Sequence, residues 1–455
     1  MPKKYMPDNS TRRGFLEKTA ATATAAAWAV PAIGATSKDA ADKKKPDSPN
    51  ETIRIGLIGC GGRGRADAAK LHGLPNCRTV AVCDVHAGRM GQTQKQFGGE
   101  KVKAHKDFRK LLDDKDIDAV VVAPTAHWHV IPTIHACRAG KDVYVEKPLG
   151  RSIGEGRAAV EAAKKYNRIV QIGTQQRSQE HYQKAVEIIQ SGRLGEICEV
   201  KVWDYDQHFP GLGAPADCDP PAELDWDFYC GPSPLVPYNP NRFGYGHYFF
   251  PDTGGSWHVD WGVHHYDIVH WATGAKYPKM VMALGGHLGF IPEQDNRVWP
   301  DTFNASLQYG PCPAAKLGFL MQYTYRCAAR GEQRSHGKKF YGTHGSMILD
   351  RSGFTITSER HKKSGYKENV IKEESFRSPS HNHHAVFLQH MRSRTQPDAD
   401  ILTGHYSTNP GHLMSIAWQT GRRIEWDGEK EQVVGDAQAN ELVTRKYRKP
   451  WTLEV

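Results

Sequence analysis

The stretch Ile53–Gly64, IRIGLIGCGGRG, decides the fold. Ile53, Ile55, Leu57 and Ile58 read as a buried parallel strand. The chain then breaks at Gly59-x-Gly61-x-x-Gly64 and runs into helix-compatible Arg65–Leu71. Strand, glycine turn and helix N-terminus in that order cradle a pyrophosphate. Gly59 allows the turn, Gly61 lets the backbone approach the phosphates, and Gly64 lets helix and strand pack closely, with Gly62 and Arg63 completing the loop. A second apolar run, Thr79–Cys83, ends at Asp84, twenty residues after Gly64. An acid there binds both ribose hydroxyls and repels a 2′-phosphate, so the pattern predicts a dinucleotide site that favours NAD over NADP. Arg89, five residues further on, keeps NADP open as the alternative.

Further along, Ile117–Ala123 is another buried strand, ending at Pro124-Thr125-Ala126-His127-Trp128-His129, and Asp142–Val145 ends at Glu146-Lys147-Pro148. Helical stretches Ala87–Phe97, Val130–Ala139 and Ile153–Tyr166 alternate with these strands and with Ile169–Gly173. The alternation predicts a doubly wound parallel sheet, whose ligand lies at the carboxyl ends of the strands. Four strand ends carry polar or special residues there: Gly59–Gly64, Asp84, Pro124–His129 and Glu146–Pro148.

After Gly173 the pattern changes. A helix over Tyr182–Gln190 precedes an alternating strand, Ile197–Tyr205, and then an aperiodic Pro/Gly/Asp/Trp-rich segment, Phe209–Gly254. A loop of that length points to function or to oligomer formation. Helical Gly262–Ala272 leads into Lys279–Leu284, Thr302–Gln308, Lys316–Tyr325, Lys338–Gly342, Ser346–Asp350 and Phe354–Ser358, which predict a large, mostly antiparallel sheet with helices His383–Ser393 and His412–Thr420 packed on it. The expected organisation is residues 1–50 as export signal and linker, 51–175 as an α/β nucleotide-binding domain and 176–455 as a C-terminal α/β domain for substrate binding and oligomerisation.

The chain has 455 residues and a net charge of +10, but Met1–Asn50 holds nine Lys/Arg against five Asp/Glu, leaving about +6 for the body. That charge is diffuse, and no basic run is interleaved with aromatics, so nucleic acid is not an expected partner. The nine cysteines form no CxxC pair and read as core residues. Thr11-Arg12-Arg13-Gly14-Phe15-Leu16, then Ala/Thr-rich Thr19–Ala35 with small residues at Ala32, Gly34 and Ala35, reads as a twin-arginine export signal for a folded protein. The apolar stretch is too short and weak for a stable membrane span. The expected location is therefore the periplasm or beyond. Free nucleotide is scarce there, which predicts a tightly held cofactor.

Two motifs bear chemistry. Lys147, at a strand end over the cofactor site, is a natural donor to a hydroxyl or carbonyl oxygen, and Pro148 fixes the backbone after it in a form compatible with a cis bond. In Gly254–Asp267, a helix starting at Asp260 sets Asp260 and His264 one turn apart on one face, with Asp267 further along it. An Asp beside an imidazole orients it, and the imidazole then moves a proton. Trp203, Trp226, Trp257 and Trp261 each suit either a sugar-stacking surface or the core; Trp257 and His265 are placed with Lys147 and His264 on the substrate side. The histidines at 127/129, 264/265 and 381/383/384 lack the paired spacing of a metal site, and no metal is assigned.

These motifs resemble the Gfo/Idh/MocA oxidoreductases, through GLIGCGGRG (56–64), VVAPTAHWHVIPTIHACRAGKDVYVEKPL (121–149) and GGSWHVDWGVHHYDIVHW (254–271). LDWDFYCGP, PDADILTGH and YRKPW are similar to its exported, twin-arginine-bearing branch. The resemblance runs from Ile53 to Trp451. It implies a Rossmann domain followed by an open-sheet α/β domain, a homodimer or homotetramer through that sheet, tightly held NAD(P) and a carbohydrate or cyclitol substrate. It also implies Lys147 as the catalytic lysine, Asp260 and His264 at the D-x-x-x-H positions with His264 carrying the proton, and Pro124, Thr125, His129 and Glu146 near the nicotinamide. Ser256 stands where the family pattern usually has a third glycine, which implies a changed loop contact. Three functions stay open: an oxidoreductase acting on a ring hydroxyl, an NAD-dependent glycosidase or lyase working by transient ring oxidation, and a non-catalytic sugar- or cofactor-binding protein. The presence of Lys147 and His264 argues against the third.

Overall fold

The computed structural model describes residues 51–331, 334–359, 374–376 and 382–455; the stretch expected to be an export signal lies outside them. Six parallel strands form the first sheet: β1 (Ile53–Ile58), β2 (Cys77–Cys83), β3 (Lys103–His105), β4 (Ala119–Val122), β5 (Asp142–Val145) and β6 (Val170–Ile172). Their order, β3-β2-β1-β4-β5-β6, reverses between β1 and β4, the switch point at which such sheets bind ligands. Helices α1 (Gly62–His72), α2 (Ala87–Phe97), α3 (Phe108–Leu112), α4 (Val130–Arg138) and α5 (Ile153–Lys165) make the crossovers. β4 and β5 are buried at every position, which explains the unbroken apolar runs Ala119–Val122 and Val143–Val145.

Next come α6 (Glu180–Gln190), β7 (Ile197–Tyr205), α7 (Trp226–Cys230) and α8 (Val263–Thr273). They are followed by β8 (Pro278–Gly286), β9 (Thr302–Tyr309), β10 (Phe319–Arg326), β11 (His336–Gly342), β12 (Gly345–Asp350), β13 (Gly353–Ser358) and β14 (Glu374–Phe376). Helices α9 (His383–Ser393) and α10 (Ile401–Thr420), strands β15 (Ile424–Asp427) and β16 (Gln432–Val433) and helix α11 (Ala437–Glu441) complete the chain. Among the described residues the second sheet has ten strands, ordered β14-β13-β12-β11-β7-β10-β9-β8-β15-β16. All its pairings are antiparallel except β7 with β10. In β9 and β10 buried and exposed residues alternate, so one face carries α8 and α10 and the other is open.

α10 starts eleven residues before the helix expected at His412. Gly404, Pro410 and Gly411 lower its intrinsic propensity, but tertiary burial outweighs that, because the helix is packed almost all round. Ile401 lies in the core of the first sheet, and Leu413, Met414 and Ala417 lie in that of the second. Phe387, Leu388 and Met391 of α9 also pack on the first sheet. So does the C-terminal tail, where the Trp451 ring lies 4.7 Å from that of Trp128. All nine cysteines are free thiols. Among the described residues no helix is long and apolar enough to cross a membrane.

Candidate functional site

A cavity of about 710 Å³ opens over the carboxyl ends of β1, β2, β4 and β5. Gly59, Gly61, Gly62, Arg63, Asp84, Pro124, Thr125, His129, Glu146, Lys147, Asp260 and His264 all line it. Gly59 has φ +96°, and a Cβ there would meet the Ala123 carbonyl at 2.6 Å, so β1 can leave the sheet this close to β4 only with glycine. Gly64 lies behind the cavity wall, where a Cβ would overlap the Gly59 carbonyl. At Gly61 and Gly62 a Cβ would meet nothing within 4 Å. The protein's own packing does not require glycine there, whereas close approach of a phosphate does, and the loop fits a dinucleotide.

The Asp84 carboxylate braces this loop, accepting from Cys60 N at 2.6 Å and His86 N at 2.8 Å. Arg63 reaches from α1 to Glu146 at the end of β5, its Nη2 2.8 Å from Oε1, and its Nε lies 3.0 Å from Asp67 Oδ2. Burial raises the Glu146 carboxyl above its ordinary value, and the Arg63 charge opposes the rise. His129 Nδ1 lies 2.7 Å from the Pro148 carbonyl, tying the β4–α4 turn to the cis Lys147–Pro148 turn.

The two chemical motifs meet, but by a different contact from the one their spacing predicts. Trp257–Trp261 forms a single π-turn, closed by Gly262 N on Trp257 O, and α8 begins only at Val263. The wider turn leaves the Asp260 carbonyl to accept from Lys147 Nζ at 2.8 Å. The Asp260 carboxylate does not orient His264; its Oδ2 accepts from Gly255 N at 2.6 Å, and its charge is balanced by buried Arg151 and by Lys147. Asp267 is drawn away from the cavity by Arg177 at 2.8 Å and Ser407 at 2.9 Å. Burial pulls the Lys147 ammonium below its usual value, against the charges of Glu146 and Asp260. Burial, reinforced by the Lys147 and Arg351 charges, holds the His264 imidazole well below its usual value. His264 is therefore neutral at pH 7, and its buried Nδ1 has no hydrogen-bond partner among the described residues.

Trp257 and His265 do not line the cavity. The Trp257 ring packs on Phe249 at 5.6 Å, and His265 Nε2 meets Asp204 at 3.0 Å; the π-turn directs Trp257, and the period of α8 directs His265, away from the cavity. The other histidines noted in sequence also serve packing. His127 meets the Tyr229 carbonyl at 2.7 Å and His384 meets Asp67 at 2.9 Å, while His381 lies outside the described residues. Sequence reading missed Arg351, at the β12–β13 turn, and Phe243, Tyr245 and Tyr248, all on the cavity wall. The aromatic density of RFGYGHYFF (242–250) signalled the latter three. Arg89 lies over the Phe243 ring at 4.2 Å, and His86 stacks on it at 5.8 Å, so the long loop covers the Asp84 end of the cavity.

Residues 53–174 match the model of an oxidoreductase family with NAD-binding Rossmann fold, and residues 366–453 match the C-terminal α/β domain of the same family, Gfo/Idh/MocA. Myo-inositol 2-dehydrogenase of Thermotoga maritima is 29% identical over 160 residues, 35% of this chain and 47% of that protein. The scyllo-inositol 2-dehydrogenase (NAD(+)) of Bacillus subtilis is 29% identical over 236 residues, 52% of this chain and 57% of that protein. The chain thus spans about half the length of the curated relatives it matches. Similar solved structures include levoglucosan dehydrogenase in complex with NADH and levoglucosan (TM-score 0.61, 16% identity, 82% of this chain and 99% of that one). The WlbA dehydrogenase from Bordetella pertussis, in complex with NADH and UDP-GlcNAcA, has a TM-score of 0.60 at 17% identity, covering 83% and 99%. The switch-point cavity, the glycine turn beneath it and two family models matched in chain order agree: residues 53–174 and 366–453 are the NAD-binding and C-terminal domains of the Gfo/Idh/MocA oxidoreductase family.

Proposed function

We propose that the protein is an NAD-dependent oxidoreductase that interconverts a ring hydroxyl and a ketone on a sugar, glycoside or cyclitol. The observation that carries this reading is that Lys147, from the first sheet, and His264, from α8, line the one cavity that begins at the glycine turn. Glycine-loop N–H groups, Asp84 and the β4–α4 turn are the groups that would hold the dinucleotide. When bound, its nicotinamide supplies a hydride acceptor, or in reverse a donor. Neutral His264 takes the hydroxyl proton as the ring carbon gives up hydride. The Lys147 ammonium, held by the Asp260 carbonyl, donates a hydrogen bond to the same oxygen and stabilises the charge that develops there. Arg63 pairs with Glu146 beside the lysine and opposes the rise that burial imposes on that carboxyl.

Export through the twin-arginine route and retention of the nucleotide through each cycle belong to the same proposal, on the strength of Thr11–Ala35. Assembly with a second copy through the open face of the second sheet belongs to it too, supported by exposed Met282, Leu284 and Leu320. The test is to incubate the NAD-loaded protein with glucosides, galactosides and inositols, following absorbance at 340 nm and product mass. A lasting 340 nm signal with a ketone product is the expected result. Aglycone release without lasting reduced cofactor contradicts the reading.

A further inference from the structure

We infer that the substrate is an acidic sugar whose carboxylate is bound by Arg351. This rests on the oxidoreductase reading and names its substrate class. Arg351 lies at the turn between β12 and β13, lines the cavity, and sits 4.4 Å over the Trp261 ring, which in turn meets His264 edge-on at 5.4 Å. Among the described residues its guanidinium has no carboxylate partner and donates no hydrogen bond to the protein. The acid next to it in sequence is already committed: Asp350 Oδ2 accepts from Arg334 at 2.8 Å and Oδ1 from Ser352 N at 2.7 Å.

Asp204 and Glu146 act on Arg351 as opposing charges without contacting it, while the cations gather on the His264 side. Lys147, Arg351 and Arg63 all act as cations on His264. The two cavity acids on that side are engaged elsewhere, Glu146 by Arg63 and Asp260 by the Gly255 N–H. A neutral polyol would leave Arg351 to solvent and to charges it does not touch. A carboxylate would pair with it directly, and a guanidinium can meet a carboxylate through two parallel N–H···O bonds while its carbon stays over the indole. His264, whose Nδ1 has no hydrogen-bond partner among the described residues, lines the same end of the cavity.

The test uses the full chain loaded with NAD, at constant ionic strength, with D-glucuronate, D-glucose and D-glucose 6-phosphate, and the galactose set alongside. Calorimetry gives Kd and absorbance at 340 nm gives turnover. Expected is a preference of at least ten-fold for the uronate over its neutral counterpart in both readouts. Arg351→Gln is expected to raise Kd and KM for the uronate about 30-fold, far more than it lowers kcat, and to close the gap to the neutral sugar. Arg351→Lys should restore only part of it. Preference for the neutral sugar or the phosphate, or equal weakening of acid and neutral ligands by Arg351→Gln, overturns the inference and leaves the oxidoreductase standing. Bound NAD with no reduction by any of these sugars or by inositols overturns both.

Discussion

Burial lowers the proton affinity of both Lys147 and His264, the two groups that line the one cavity. The imidazole is neutral because desolvation and neighbouring cations penalise its protonated form. The same burial pulls Lys147 below its usual value, against the charges of Glu146 and Asp260, while its Nζ donates to the Asp260 carbonyl. Lys147→Met should therefore lower kcat by about 10²–10⁴-fold, and His264→Asn by a comparable factor, with nucleotide still bound in each variant. Stopped-flow absorbance at 340 nm together with nucleotide content checks this; a variant that loses nucleotide instead of rate would assign the residue to binding. Residue types and strand-end position made Lys147 and Asp84 legible in the sequence. The partners of Asp260 were not, because the π-turn that redirects it has no signature in WHVDW. Arg351 was not either: a cation in a hairpin turn looks like any solvated residue until the fold carries it over a cleft from the other sheet.

At the scale of elements, regular crossovers were readable because strand and helix periods alternate cleanly through residues 53–172. The first half of α10 was hidden by Gly404, Pro410 and Gly411, whose cost is met by burial that a local window does not sense. The entry to the π-turn carries a comparable cost. Ser256 has φ +55° and ψ −169°, a region favourable only to glycine, and its hydroxyl donates to the Tyr325 hydroxyl at 3.1 Å. Ser256→Ala and Ser256→Gly both lose that bond, but only glycine relieves the backbone. The glycine variant should be the more stable of the two by about 1–2 kcal/mol, as read from urea midpoints; an alanine variant equal to or above glycine would show that the position is unstrained.

Over the whole molecule, burial of neutral histidines links stability to pH. His127, His258 and His270 are pushed down to about 3, and His247, His265, His383 and His384 to about 4, chiefly by burial. The unfolded chain takes up these protons near pH 6.5 and the folded chain does not. Their contribution is thus complete above pH 6.5 and is lost as pH falls toward 3–4, at up to about 2 kcal/mol for each group by pH 5. Asp67, raised to about 6, and Glu146, Asp260 and Asp267, also raised by burial, act with the opposite sign. Because the histidines outnumber them, calorimetric Tm should fall by more than about 10 °C between pH 7.5 and pH 5; a flat profile would mean that these imidazoles are not buried neutral. The same enclosure joins the two sheets around one cavity, with the long loop over its Asp84 end. The most direct measurement is therefore to denature the purified protein and identify what it releases by mass and by absorbance at 260 and 340 nm. About one NAD(H) per chain is the predicted result; no nucleotide, with no binding of added NAD at millimolar concentration, would contradict the cavity's assignment as a dinucleotide site.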